Sequence, residues 1–123
     1  MEQGCVFCMR SDFILENHLA YLKYDKHPVN KGHLLIIPKR HYPDFFQSTK
    51  EEIEALLDLL FKAKIYLDNT YKPDGYNIGL NCGTAAGQTV MHLHIHVIPR
   101  YQGDTKNPIG GVRGAIPLKM KYP

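Results

Sequence analysis

The chain has 123 residues, 44% hydrophobic and 22% charged, with a formal net charge of +3. Such a composition fits one globular domain over residues 1–123 and excludes a disordered chain or the clustered basic face of a nucleic-acid binder. No apolar run reaches the ~18 residues of a membrane span, and the N-terminal stretch MEQGCVFCMRSD lacks the apolar segment of a signal peptide. A cytoplasmic protein is therefore expected, with Cys5, Cys8 and Cys82 reduced or metal-bound rather than disulfide-paired.

In chain order, Leu19–Tyr24 is apolar-rich and suits a strand. DKHPVNKG follows as a loop, and Leu34–Ile37 is a second strand, stopped by Pro38. The period then changes. Thr49 followed by Glu52 is a capping-box signature, and Ile53, Leu56, Leu57, Leu60 and Leu67 recur at helical spacing, so a helix is predicted over residues 50–70. Phe61 and Ile65 widen its apolar surface beyond one stripe. KPDG is a turn, Tyr76–Gly83 a strand holding a structural Cys82, TAAGQ a loop, and VMHLHIHVIPR a final strand. From Gly103 onward Gly and Pro predict an irregular tail. Strands on both sides of one long helix, without βαβ alternation, predict an α+β fold with an antiparallel sheet.

The final strand carries the chemistry. Alternation would put His92, His94 and His96 on one face and Met91, Leu93, Ile95 and Val97 on the other, in the core. A histidine row of this kind is a wet surface, a three-histidine metal site, or imidazole acting as nucleophile, acid or base. The loop before it brings Gly87, which permits close backbone approach, and Gln88 and Thr89, whose donors suit phosphate oxygens. Cys5 and Cys8 form a CxxC pair that fits a redox couple, half a zinc site, or two small buried residues. His41 and one of the row are the plausible remaining ligands for a closed site. His33, opening a strand after Gly32, and Asp25, ending one, have exposed-terminus and turn readings of their own.

Together, CVFC, GHLLIIPKRHY, Asn81 with Gly87–Gln88–Thr89, and HLHIHVIPRYQGD resemble the histidine triad (HIT) family of nucleotide hydrolases and transferases. The resemblance implies a HIT-like fold, a sheet of about five antiparallel strands with one long helix. It implies that His94 is a nucleophile attacking the α-phosphorus to form a covalent nucleotidyl-histidine, with His96 and His33 orienting it and contacting phosphate. Asn81, Gly87, Gln88 and Thr89 would lie on the phosphate side, with Gln88 or a neighbouring histidine helping to protonate the leaving group. Asp25 would hold the ribose hydroxyls, and the Phe7, Phe13 or Leu15 region would line the base pocket. A structural zinc on Cys5, Cys8, His41 and His92, no catalytic metal, a homodimer using the helix and a neighbouring strand, and a purine nucleotide substrate are further implications.

The tail NPIGGVRGAIP resembles the dinucleoside polyphosphate hydrolase branch, which implies release of a nucleoside monophosphate from substrates of the diadenosine tetraphosphate type. A nucleoside phosphoramidate hydrolase and a nucleotide-binding regulator with little turnover are the alternatives. In the tail, Lys106, Arg113, Lys119 and Lys121 would meet the distal phosphates of a long substrate.

Overall fold

A computed structural model describes residues 4–122. Five strands form one antiparallel sheet: β1 (Phe13–Glu16), β2 (Ala20–Tyr24), β3 (Leu34–Pro38), β4 (Gly75–Gly79) and β5 (Ile95–Arg100), in the order β1-β2-β3-β5-β4. One helix, α1 (Lys50–Thr70), covers one face of it, as expected. No helix among the described residues is long and apolar enough to cross a membrane.

The helix occupies the residues its capping box assigns. Thr49 Oγ1 accepts from the Glu52 amide at 3.1 Å, and Glu52 Oε1 accepts from the Thr49 amide at 2.8 Å. Arg40 grips the same carboxylate with Nε at 2.9 Å and Nη2 at 2.8 Å, which is why a glutamate only 3% exposed is tolerated there. After Thr70, Lys72 adopts a positive φ and Pro73 has no amide to continue the ladder.

The buried stripe of α1 is rotated from the expected one. Ala55, Leu56, Leu59, Ala63 and Leu67 enter the core, whereas Leu57 is exposed and Ile53 and Leu60 are only partly covered. The chain carries more apolar positions than one face can hold, and Leu57, Phe61 and Ile65, each four residues apart, form a second stripe that is 50–73% exposed. Against the inner stripe pack Leu22, Leu34, Ile36, Leu93, Ile95 and Val97. Burying each large side chain stabilises by about 1.5–3 kcal/mol, and Leu59→Ala at the centre would cost about 2–5 kcal/mol.

Two further expectations are corrected, and one strand is found where none was predicted. The strand FILE at Phe13–Glu16 is present although its four residues are too few to show alternation; its pairing with β2 contains an irregularity between Phe13 and Leu15. β4 stops at Gly79, so Cys82 lies outside the sheet, where Gly83 at φ +90° turns the chain into the Thr84–Ala86 3-10 turn. The final strand starts only at Ile95. β3 pairs with β5 over Leu34–Ile36 alone, and beyond that the backbone turns to other partners: the Leu93 amide donates to Tyr42 O at 2.7 Å. His92 and His94 thus precede the strand, and Met91, expected in the core, is 41% exposed. The tail is irregular as expected, apart from 3-10 turns at Gly111–Ala115 and Pro117–Lys119.

Candidate active site and metal centre

Because the ladder begins only at Ile95, the three histidines part into two groups: His92 joins the cysteines, while His94 and His96, with ring centroids 5.2 Å apart, share a cavity. His92 is fully buried. Its Nε2 donates to the Pro38 carbonyl at 2.7 Å, which leaves the lone pair of the neutral ring on Nδ1. That Nδ1 lies 3.4 Å from Cys5 Sγ, 3.5 Å from Cys8 Sγ and 3.1 Å from His41 Nδ1, and Cys8 Sγ lies 3.3 Å from His41 Nδ1. One donor atom from each of these four residues falls within 4.8 Å of the others. A tetrahedral zinc with Zn–S about 2.3 Å and Zn–N about 2.0–2.1 Å has N···S edges of about 3.5 Å and an N···N edge of about 3.4 Å, so the set fits that ion. Burial pushes the Cys5 thiol above its ordinary value, a cost that a dication would reverse.

Phe7, inside the CxxC turn, connects this cluster to the next. Its carbonyl accepts from the buried Tyr21 hydroxyl, and its ring packs edge-on against His92 and at 5.0 Å against His94.

His94 Nδ1 lies 2.8 Å from the carbonyl of His92. A carbonyl only accepts, so Nδ1 carries the hydrogen and Nε2 of the neutral ring holds the free lone pair. His94 and His96 line a cavity of ≈ 490 Å³ together with Asp25, Asn81 and Thr89. Its apolar walls are Val6, Phe7, Leu35 and Val90; Phe13 and Leu15, expected near the base, are on the exposed edge strand instead and do not line it. Lys23 and Lys26 line the cavity as well, a contribution that nothing in their sequence context signals.

His33 stands behind this cavity, 2% exposed. Its Nδ1 accepts from the Val29 amide at 3.0 Å, which puts the proton of the neutral ring on Nε2. Nε2 is 2.9 Å from His96 Nδ1 and 3.3 Å from Asp25 Oδ2. His96 Nδ1 is thereby an acceptor, and its own proton sits on Nε2. Burial lowers the pKa of His33 despite the opposing pull of Asp25, and burial followed by the neighbouring His94 and His33 lowers that of His96. The same tautomers leave no lone pair on His33 Nε2, so Asp25, His33 and His96, although close enough to surround an ion, form a hydrogen-bonded relay.

Gln88 departs from expectation. It is 4% exposed and absent from the cavity wall. Its Oε1 accepts from the Gly83 amide at 2.8 Å, and its Nε2 donates to Pro43 O at 2.9 Å and Val90 O at 3.1 Å. It clamps the 83–90 loop to the segment after β3, while the next residue, Thr89, faces the cavity. Gly87, at φ +95°, supplies the left-handed turn within this loop.

The HIT domain family model matches residues 8–103. The chain belongs to the HIT family. An uncharacterised HIT-like protein of Mycoplasma genitalium is 38% identical over 105 residues, covering 80% of this chain and 74% of that protein. A Mycobacterium tuberculosis protein named AP-4-A phosphorylase is 37% identical over 111 residues, covering 88% of this HIT chain but only 56% of that protein. Among solved structures, a zinc-bound histidine triad family protein of Mycobacterium smegmatis superposes with a TM-score of 0.75 at 32% identity, covering 85% of this chain and 80% of that one.

Proposed function

We propose that this HIT protein is a nucleotide hydrolase that cleaves at the α-phosphorus through His94 and releases a nucleoside monophosphate. The observation that carries the reading is the hydrogen bond from His94 Nδ1 to the His92 carbonyl, which leaves a lone pair on Nε2 of a ring that lines a cavity with Asn81, Thr89 and His96. His94 Nε2 attacks phosphorus, a P–N bond forms, and the bridging P–O bond breaks with its electrons on the departing phosphate. Water then cleaves the P–N bond and returns the ring to its starting tautomer. The His96 Nε2–H and the Thr89 hydroxyl are donors for the charge that builds on the phosphoryl and leaving oxygens. His33 acts through His96 as a positioning residue, and Asn81 completes the phosphate side. Gln88 and Gly87 act by shaping the loop that presents Thr89. Asp25 Oδ1 accepts from the His27 amide and Oδ2 faces His33; the remaining lone pairs of the carboxylate are those that would take ribose hydroxyls.

The substrate class is a dinucleoside polyphosphate of the diadenosine tetraphosphate type. The M. tuberculosis relative's name supports this choice, although just over half of that protein is spanned. Cys5, Cys8, His41 and His92 would hold a structural zinc, which supplies a fixed knuckle under Phe7 and no chemistry at phosphorus; a reduced cytoplasm keeps the two thiolates available for it. We also infer a single domain over residues 1–123 that pairs as a homodimer through the outer stripe of α1 and the free edge of β4.

A side-by-side kinetic assay of diadenosine tetraphosphate and adenosine phosphoramidate tests the reading. Faster release of AMP from the first supports it. Faster release from the second transfers the assignment to a phosphoramidate hydrolase, and no AMP from either leaves a nucleotide binder.

A further inference from the structure

The histidine cavity is open on the side of β4. A second cavity of ≈ 340 Å³ shares His96 and Asn81 with it and runs along the same sheet face past Gly79, Asn77 and Ile98. A third, of ≈ 430 Å³, shares Asn77 and Gly111 with the second and ends at Arg100 and Lys106. The three lie in line along β4 and β5.

Gly79 is the doorway. It pairs with His96 across the β4–β5 ladder, and a Cβ built there meets nothing within 4 Å. Its backbone lies outside the left-handed region, so the conformation does not demand glycine. Gly79 ends β4, and close approach of a ligand to the main chain is one of the uses a strand glycine serves.

The roof is a built element. Residues Gly111–Ala115 form a 3-10 turn against β4, with Gly111 close enough to Asn77 that a Cβ would lie 3.3 Å from its Nδ2. Arg113 braces the turn, donating from Nε to Met120 O at 3.2 Å and from Nη2 to Lys119 O at 3.0 Å, and lies over the Tyr122 ring. It is therefore committed to the tail itself and not to distal phosphates. At the far end, Arg100 is paired with both Asp104 oxygens at 2.8 Å and donates to Asn77 Oδ1. What lines the middle is apolar: Ile98 from the floor, Val112 and Ala115 from the roof.

We propose that this trough is the subsite for the leaving half of the substrate, with its phosphates passing Gly79 and Asn81 and its nucleoside lying between Ile98 and Val112. The inference rests on the nucleotide-hydrolase reading and gives it a substrate with an apolar group on both ends. A short leaving group does not reach the trough, whereas a second nucleoside gains apolar burial there.

The test is calorimetric binding of two ligands, AMP and a diadenosine tetraphosphate analogue with methylene bridges that resists cleavage, to the full chain and to Gly79→Val and Val112→Asp. Valine suits a strand and narrows the doorway; Val112 is 68% exposed, so the aspartate puts a charge in the roof without touching the core. The full chain should bind the analogue at least about tenfold more tightly than AMP, and both variants should bring that ratio toward one. Equal affinities for the two ligands in the unaltered chain, or an unchanged ratio in folded variants, overturn the subsite while AMP binding still upholds the nucleotide site. Binding of neither ligand overturns the nucleotide reading and the subsite with it.

Discussion

The side chain of His94 is held by the backbone of His92: Nδ1 donates to the carbonyl two residues earlier at 2.8 Å. The His92 carbonyl is free to accept it because these residues precede the paired strand; within the ladder a carbonyl bonds to a neighbouring strand. His94→Asn is expected to remove turnover by more than about 10³-fold, since an amide has no nucleophilic lone pair. AMP should still bind. His96→Asn should retain partial activity, with a loss of about 10²–10³-fold, as for the loss of one donor to a developing charge. Quenched-reaction mass spectrometry should find a nucleotidyl adduct on His94 in the wild type only, and near-normal turnover by His94→Asn would rule out covalent catalysis.

Zinc is expected at one equivalent per chain by elemental analysis. Cys8→Ser should release it and lower the Tm by about 5–10 °C, corresponding to about 2 kcal/mol in a domain of this size. Because Phe7 packs on both His92 and His94, the same variant should weaken AMP binding. A zinc-free protein as stable as the zinc-loaded one would remove the structural role.

The buried His33 gives stability a defined pH dependence. Burial lowers its folded-state pKa below 6.5, so between the folded and unfolded values the unfolded chain binds more protons. Its contribution is whole above about pH 6.5 and is lost as the pH falls through the folded value. Thermal unfolding at pH 7.5, 6.5 and 5.5 should show a smaller decline for His33→Gln than for the wild type, the zinc contribution being common to both. Equal slopes would mean that His33 does not titrate on unfolding.

The outer stripe of α1 predicts the assembly. Phe61 is 73% exposed beside Leu57, Ile65 and Ile78, and a small apolar hollow lies among Leu60, Phe61, Tyr76 and Ile78. Light scattering should give a dimer mass at micromolar concentration, and Phe61→Glu should give a monomer. A monomer mass for the unaltered chain would discard this interface.

Periodicity located α1 to the residue because its signals are local: a capping box at one end and Lys72–Pro73 at the other. Residue types marked the Cys5–Cys8–His41–His92 cluster and the cavity histidines for the same reason, since few other side chains offer nitrogen or sulfur lone pairs. Facing was less legible. The alternation of His92, His94 and His96 looks like one strand face, yet the strand begins at Ile95, because where a ladder ends depends on β3, some 60 residues earlier. Gln88 reads as a phosphate donor until its partners are seen: Gly83, Pro43 and Val90 occupy both polar atoms of its side chain. The trough was invisible, since it depends on Gly79 meeting His96 and on a tail that folds back over β4.

The Cys5–Cys8–His41–His92 cluster joins segments far apart in the chain, with Cys5 and His92 separated by 87 residues. A link across so long a loop is entropically unfavourable until the sheet has brought its ends together, so it is expected to form after the rate-limiting step of folding. Interactions absent from the folding transition state act on the unfolding rate. An ion held there would therefore act on the lifetime of the native state: the N-terminal segment would have to let go of His92 before the end of β3 and the start of β5 could part.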